Sequence, residues 1–80
     1  MDDQDVIAQI HQLVDEEHRL EHTEGGHVLT AEEEARRQSI EVHLDQLWDL
    51  LRQRRARRDA GLDPDEATER DSVVVERYEQ

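Results

Sequence analysis

The 80-residue chain has no cysteine, no phenylalanine and no lysine, a single proline, and only two aromatic residues, Trp48 and Tyr78. Without cysteine there is no disulfide framework, no thiolate nucleophile and no zinc site built on sulfur. No apolar run approaches the roughly 18 residues that a membrane span requires. The start, Met1-Asp2-Asp3-Gln4-Asp5, is acidic where a secretory signal would be basic, so a cytoplasmic location is expected. Apolar residues make up only 34% of the sequence and charged residues 40%, a balance close to that of disordered chains. Such a chain folds only if its few large side chains lie in one periodic stripe, which favours long helices. Positive charge is also scarce. Ten arginines face 22 acids for a formal charge of −12, and that surface repels nucleic-acid phosphates and anionic lipid.

What is present is helical periodicity. Val6, Ile7, Ile10, Leu13, Val14 and Leu20 recur at spacings of three and four, which predicts an amphipathic helix over about 2–22. Asp2, Asp3 and Asp5 crowd its first turn, where carboxylates favour the positive end of the helix dipole. Gly25-Gly26 breaks the pattern, so 23–30 reads as a loop. Thr30-Ala31-Glu32-Glu33 has the form of a capping box, and a second, longer helix follows over about 31–60. Ile40, Leu44, Leu47 and Leu51 form one row on it, flanked by Trp48 and Leu50. Gly61 supplies a left-handed stop, with Leu62 able to pack back on the last turn. Asp63-Pro64-Asp65-Glu66 is a further helix start, predicting short helical segments over 64–70 and 72–79.

A short connection makes the two long helices antiparallel, with position i facing about position 54 − i. Ile10 then meets Leu44, Leu13 lies near Ile40, Val6 near Trp48, and Glu17 beside Arg37. The second helix overhangs the first, so Leu50 and Leu51 need a cover. The tail, through Val74, Val75 or Tyr78, or a second copy of the chain, is expected to supply it.

Three motifs invite functional readings. His18-Arg19-Leu20-Glu21-His22 matches the H-x-x-E-H letters of inverted zinc peptidases. Those enzymes need a third distant ligand and a cleft that 80 residues cannot enclose. More broadly, His11, Asp15, His18 and His22 are spaced four, three and four along one helix flank, a possible metal-binding stripe that is more simply a solvated flank. Five histidines also allow a pH response, since full protonation takes the formal charge from −12 to −7. The block Arg52, Arg54, Arg55, Arg57 and Arg58 is the only basic cluster. It could fork onto phosphates. However, cations belong at a helix C-terminus, and the hairpin brings Asp2, Asp3 and Asp5 beside this end, with Asp63, Asp65 and Glu66 directly following. No aromatics interleave the block for base stacking. Gly25-Gly26 lacks the lysine of a phosphate loop, and neither serine, Ser39 or Ser72, lies in a nucleophile elbow.

Several of these residues together resemble a known family. Asp15-Glu16-Glu17-His18-Arg19-Leu20, the run from Leu44 through Trp48 to Ala56, Ala60-Gly61-Leu62-Asp63-Pro64-Asp65, and Val75-Glu76 with Tyr78 are similar to the short actinobacterial proteins grouped as domain of unknown function 2630. The resemblance covers nearly the whole chain and is most specific around Trp48. It implies a small intracellular protein and a helix start at Ser72, and it transfers no catalytic, metal or cofactor role.

The expected fold is all-α: an antiparallel helical hairpin with a long second helix and one or two short C-terminal helices, built as a single domain and completed as a homodimeric bundle. The expected function is a non-enzymatic protein-protein interaction or adaptor role with no cofactor, through a face formed by Ile40, Leu44, Leu47, Trp48, Leu50 and Leu51. A metal- or pH-responsive histidine protein is the alternative, and weak nucleic-acid binding through the arginine block is third.

Overall fold

The computed structural model describes residues 2–21, 28–70 and 75. Two long helices, α1 (Asp3–Glu21) and α2 (Ala31–Asp59), form an antiparallel hairpin, followed by a 3-10 turn at Pro64–Glu66. The described residues contain no strand.

Both long helices begin on side chains that satisfy otherwise orphaned amides. Asp2 and Asp5 bond reciprocally: the Asp5 amide donates to Asp2 Oδ1 at 2.9 Å, and the Asp2 amide to Asp5 Oδ2 at 3.1 Å. The expected capping box of α2 is formed, with the Glu33 amide 3.1 Å from Thr30 Oγ1 and the Thr30 amide 2.9 Å from Glu33 Oε1. At the other end of α2, Gly61 takes φ of 74°. That left-handed residue lets the Leu62 amide reach the Arg57 carbonyl at 2.7 Å and the Gly61 amide the Arg58 carbonyl at 3.1 Å, a Schellman closure. The Leu62 side chain, expected to pack back, is instead exposed.

A helix expected over 64–70 stops after one turn. Asp63 Oδ1 accepts from the Asp65 amide and the Ala67 amide donates to the Pro64 carbonyl, but Ala67 itself is extended at φ −69°, ψ 140°. The chain that follows is tied to α2. Gln53 donates to the Thr68 carbonyl at 2.8 Å and Gln46 to the Arg70 carbonyl at 3.3 Å. These carbonyls are therefore held by α2, and residues 67–70 run back along it as a non-helical strap. The segment expected at 72–79 lies outside the described residues except for Val75, which is helical and fully buried.

The core is small. Val6, Ile10, Leu47 and Leu50 form its centre, with Leu13, Val14, Leu44, Leu51 and Ala67 packed against it. Ile40 is also fully buried. Each such side chain contributes about 2 kcal/mol by leaving water, so a core of this size depends on what else joins its elements. Leu50 and Leu51 are covered as the overhang required, with Ala67 of the strap contributing. The helix register lies close to that expected. Glu16 meets Arg36 and Asp3 meets Arg54, whereas Arg37, expected beside Glu17, pairs within its own helix with Glu34 and Glu41.

Candidate functional site

At 3.6 residues per turn, α2 presents three flanks. Neighbouring elements close two of them.

The first flank meets α1. Ile40, Leu44, Leu47 and Leu51 lie along it with Arg36, Arg54 and Arg58. Arg36 forms a forked pair with Glu16 at 2.6 and 2.8 Å. Arg54 is only 5% exposed and gathers partners from two other segments among the described residues. Its Nε donates to Asp3 Oδ1 at 2.5 Å, and its Nη1 donates to Asp65 Oδ1 at 3.0 Å and to the Pro64 carbonyl at 3.2 Å. Arg58 adds a second cation to Asp3 at 3.0 Å. Hydrogen bonds from Arg54, and then from Arg58, hold the Asp3 carboxyl below the usual carboxylate range.

The second flank meets the strap. Asp49, 1% exposed, accepts a fork from Arg70, with Nε–Oδ2 at 2.9 Å and Nη2 on Oδ1, and a further bond from Gln53 at 3.0 Å. The Arg70 hydrogen bonds depress the Asp49 carboxyl, against the opposing effect of burial. His43 Nε2 lies 3.3 Å from Glu69 Oε1 at the next level along the strap. Neither Asp49 nor Arg70 stands out as functional by sequence motif. The available signal was an acid set among Leu47, Leu50 and Leu51, and a lone cation in the acidic stretch 63–71.

The third flank carries Glu41, Asp45, Trp48, Arg52, Arg55 and Asp59. Trp48 is 48% exposed. Among the described residues, none of the six makes an ion pair or hydrogen bond to α1 or to residues 62–70. Glu41 bonds Arg37 and Arg52 lies 3.8 Å from Asp49, both within α2.

These positions redraw the expected interaction face. Ile40, Leu47 and Leu50 are buried within one chain, and Leu44 and Leu51 are partly covered. Trp48, expected against Val6, points outward instead and is the large apolar residue of that set left on the surface. The arginine block is largely neutralised as expected: Arg52, Arg54, Arg57 and Arg58 pair with Asp49, with Asp3 and Asp65, with Glu66, and with Asp3. His11, Asp15 and His18 are exposed on α1, while His22 lies outside the described residues. Among the described residues, no group of three His, Cys, Asp or Glu side chains is placed to hold a metal ion. No described helix is long and apolar enough to cross a membrane. Among the described residues, shallow clefts of about 470 and 490 Å³ flank α2, one lined by Arg52, Gln53 and Leu62 and the other by Ser39, Val42 and His43.

The class is thereby defined: a small all-α hairpin, strapped by its own tail and joined by ionic clamps. The chain belongs to the family described as protein of unknown function (DUF2630), whose model matches residues 2–80. It is similar to the uncharacterized proteins Rv0898c of Mycobacterium tuberculosis and Mb0922c of Mycobacterium bovis, each 46% identical over 77 residues, covering 95% of this chain and 88% of the relative. No solved structure matches it significantly.

Proposed function

We propose that this is a non-enzymatic, cytoplasmic protein-protein interaction module that binds through the outer flank of α2 centred on Trp48. The observation that carries this reading is the placement of its single tryptophan. In a chain this poor in apolar residues, burying Trp48 would have enlarged the core. Instead it stands half exposed in the middle of the longest helix, ringed by Glu41, Asp45, Arg52 and Arg55. A tryptophan inside a charged rim is the usual composition of an interface hot spot. Asp3, Glu16, Glu34 and Asp49 are held lower by arginine partners, which gives these four acids a structural role in ion pairs.

The test is a photocrosslinking residue placed at Asp45, beside Trp48 on the same flank, in cells that express the protein, with the same residue at Glu32 as control. A discrete protein adduct at Asp45 that is absent at Glu32 and lost with Trp48→Ala is the expected result. No adduct at Asp45, or equal labelling at both positions, overturns the reading.

A further inference from the structure

We infer that the partner on the Trp48 flank is a second copy of the same chain, docked antiparallel so that the two Trp48 side chains meet near a twofold axis. This rests on the reading of that flank as an interaction surface and specifies what occupies it.

The argument is charge complementarity. Within two turns of Trp48 on the outer flank the charges change sign across it: Glu41 and Asp45 precede it, while Arg52 and Arg55 follow. A twofold axis at Trp48 sets position i of one copy opposite about position 96 − i of the other. Glu41 then faces Arg55 of the second copy, and Asp45 faces Arg52 of the second copy. Symmetry gives each pair twice. A parallel arrangement in register places Glu41 on Glu41 and Arg55 on Arg55 and is repulsive, so the pattern selects the antiparallel orientation.

The groups are available. Arg55 and Asp45 have no ion-pair partner among the described residues, Arg52 has a 3.8 Å approach to Asp49, and Glu41 uses only Oε1 toward Arg37. Leu44 and Leu51, partly covered by α1, border Trp48 on one side and widen the apolar centre. This differs from a bundle that shares one core, because Ile40, Leu47 and Leu50 are already closed within the single chain. With one tryptophan per protomer at its centre and ion pairs at its rim, the interface fits a weak, concentration-dependent dimer rather than an obligate one.

Sedimentation of the full chain over concentrations up to about 1 mM, alongside Trp48 emission, tests this. The sole tryptophan reports the contact directly, and its emission moves to shorter wavelength as the dimer forms. Glu41→Arg and Arg55→Glu should each weaken association by roughly tenfold, and the double variant, which keeps the net charge, should recover it by re-forming the pairs in the opposite sense. Both positions are exposed, and circular dichroism of each variant confirms the helices. A chain that stays monomeric throughout overturns the inference, as does a dimer indifferent to Trp48→Ala or a double variant no better than the singles. In each case a heterologous adduct in the photocrosslinking experiment would leave the broader reading of the flank standing.

Discussion

Asp49 and Arg54 are five residues apart on one helix, both buried and of opposite charge, yet they do different work. Arg54 is a junction: its guanidinium binds the start of α1 and the 3-10 turn, so three segments meet on one side chain. Asp49 is an anchor for one segment, the strap, through Arg70, with Gln53 of its own helix completing the shell. Solvent access also differs around them. The carboxylates of Asp3 and Asp65 remain partly in water when paired to Arg54, with side chains 34% and 65% exposed. On the strap side it is the acid that is sealed and the cation Arg70 that reaches solvent, 35% exposed. The consequence of losing a partner therefore depends on which ion is left behind without water.

The largest effect is expected for Arg70→Ala. It leaves the Asp49 carboxylate inside the fold with a hydrogen bond from neutral Gln53 and only the exposed Arg52, 3.8 Å away, as counter-charge, and the loss should be about 3 kcal/mol, read as a lower urea midpoint. Replacing both ions, Asp49→Leu with Arg70→Met, should cost less than Arg70→Ala alone, because no buried charge remains. If the double replacement is worse than the single, the ion pair is itself the main source of stability at this site, and the comparison drawn above is wrong.

Arg54→Met comes next. Asp3 and Asp65 can turn to water, so the fall in midpoint should be smaller than for Arg70→Ala, but it should spread more widely. Amide hydrogen exchange should rise together in the first turn of α1 and at residues 63–67. Arg70→Ala, by contrast, should free residues 67–70 and leave α1 protected. Identical exchange patterns in the two variants would erase the distinction between junction and anchor.

Acid should act on both sites in the same direction and less abruptly. Asp3 and Asp49 have folded-state values below their unfolded ones. Their stabilisation is therefore fully present above the unfolded value, about 3.9 for aspartate, and is lost as pH falls through the folded value. Stability should be flat with respect to these two groups between pH 7 and 5 and drop below about pH 4. Asp49→Asn should lower stability at neutral pH and flatten the acid limb; an unchanged limb would show that Asp49 is not linked to folding.

How much of this was legible in the sequence follows from the range of each interaction. Helix starts, the glycine stop and the hairpin were readable, because caps and apolar spacing are local: Thr30 with Glu33, and Gly61 with Leu62 and Arg57, are decided within six residues. The neutralisation of the arginine block by Asp3 and by residues 63–66 was also readable, since helix length and register place those groups at one end. The strap was not. Asp63-Pro64 starts a helix correctly, but the non-helical course of 67–70 is fixed against α2 by Gln46 and Gln53, 15 to 24 residues away, bonding the Arg70 and Thr68 carbonyls. Trp48 was misplaced for a related reason. A row of leucines beside a tryptophan looks like one apolar face, and only the direction of approach of α1 shows that Leu47 lies beneath it and Trp48 outside.

The outward position of Trp48 supports the smallest and most discriminating prediction. Trp48→Ala should change the stability of the dilute monomer by less than about 1 kcal/mol, far below the effect of Arg70→Ala, because a half-exposed side chain forfeits little burial. Thermal melts at low micromolar concentration would check this. Measured at high concentration, the same substitution should lower the melting temperature of the wild type toward a value that no longer depends on concentration, since only association makes it do so. A large loss already present in the dilute protein would mean that Trp48 serves the fold, placing it with Asp49 and Arg54. A loss confined to concentrated protein would separate the flank that holds this chain together from the flank it offers to another.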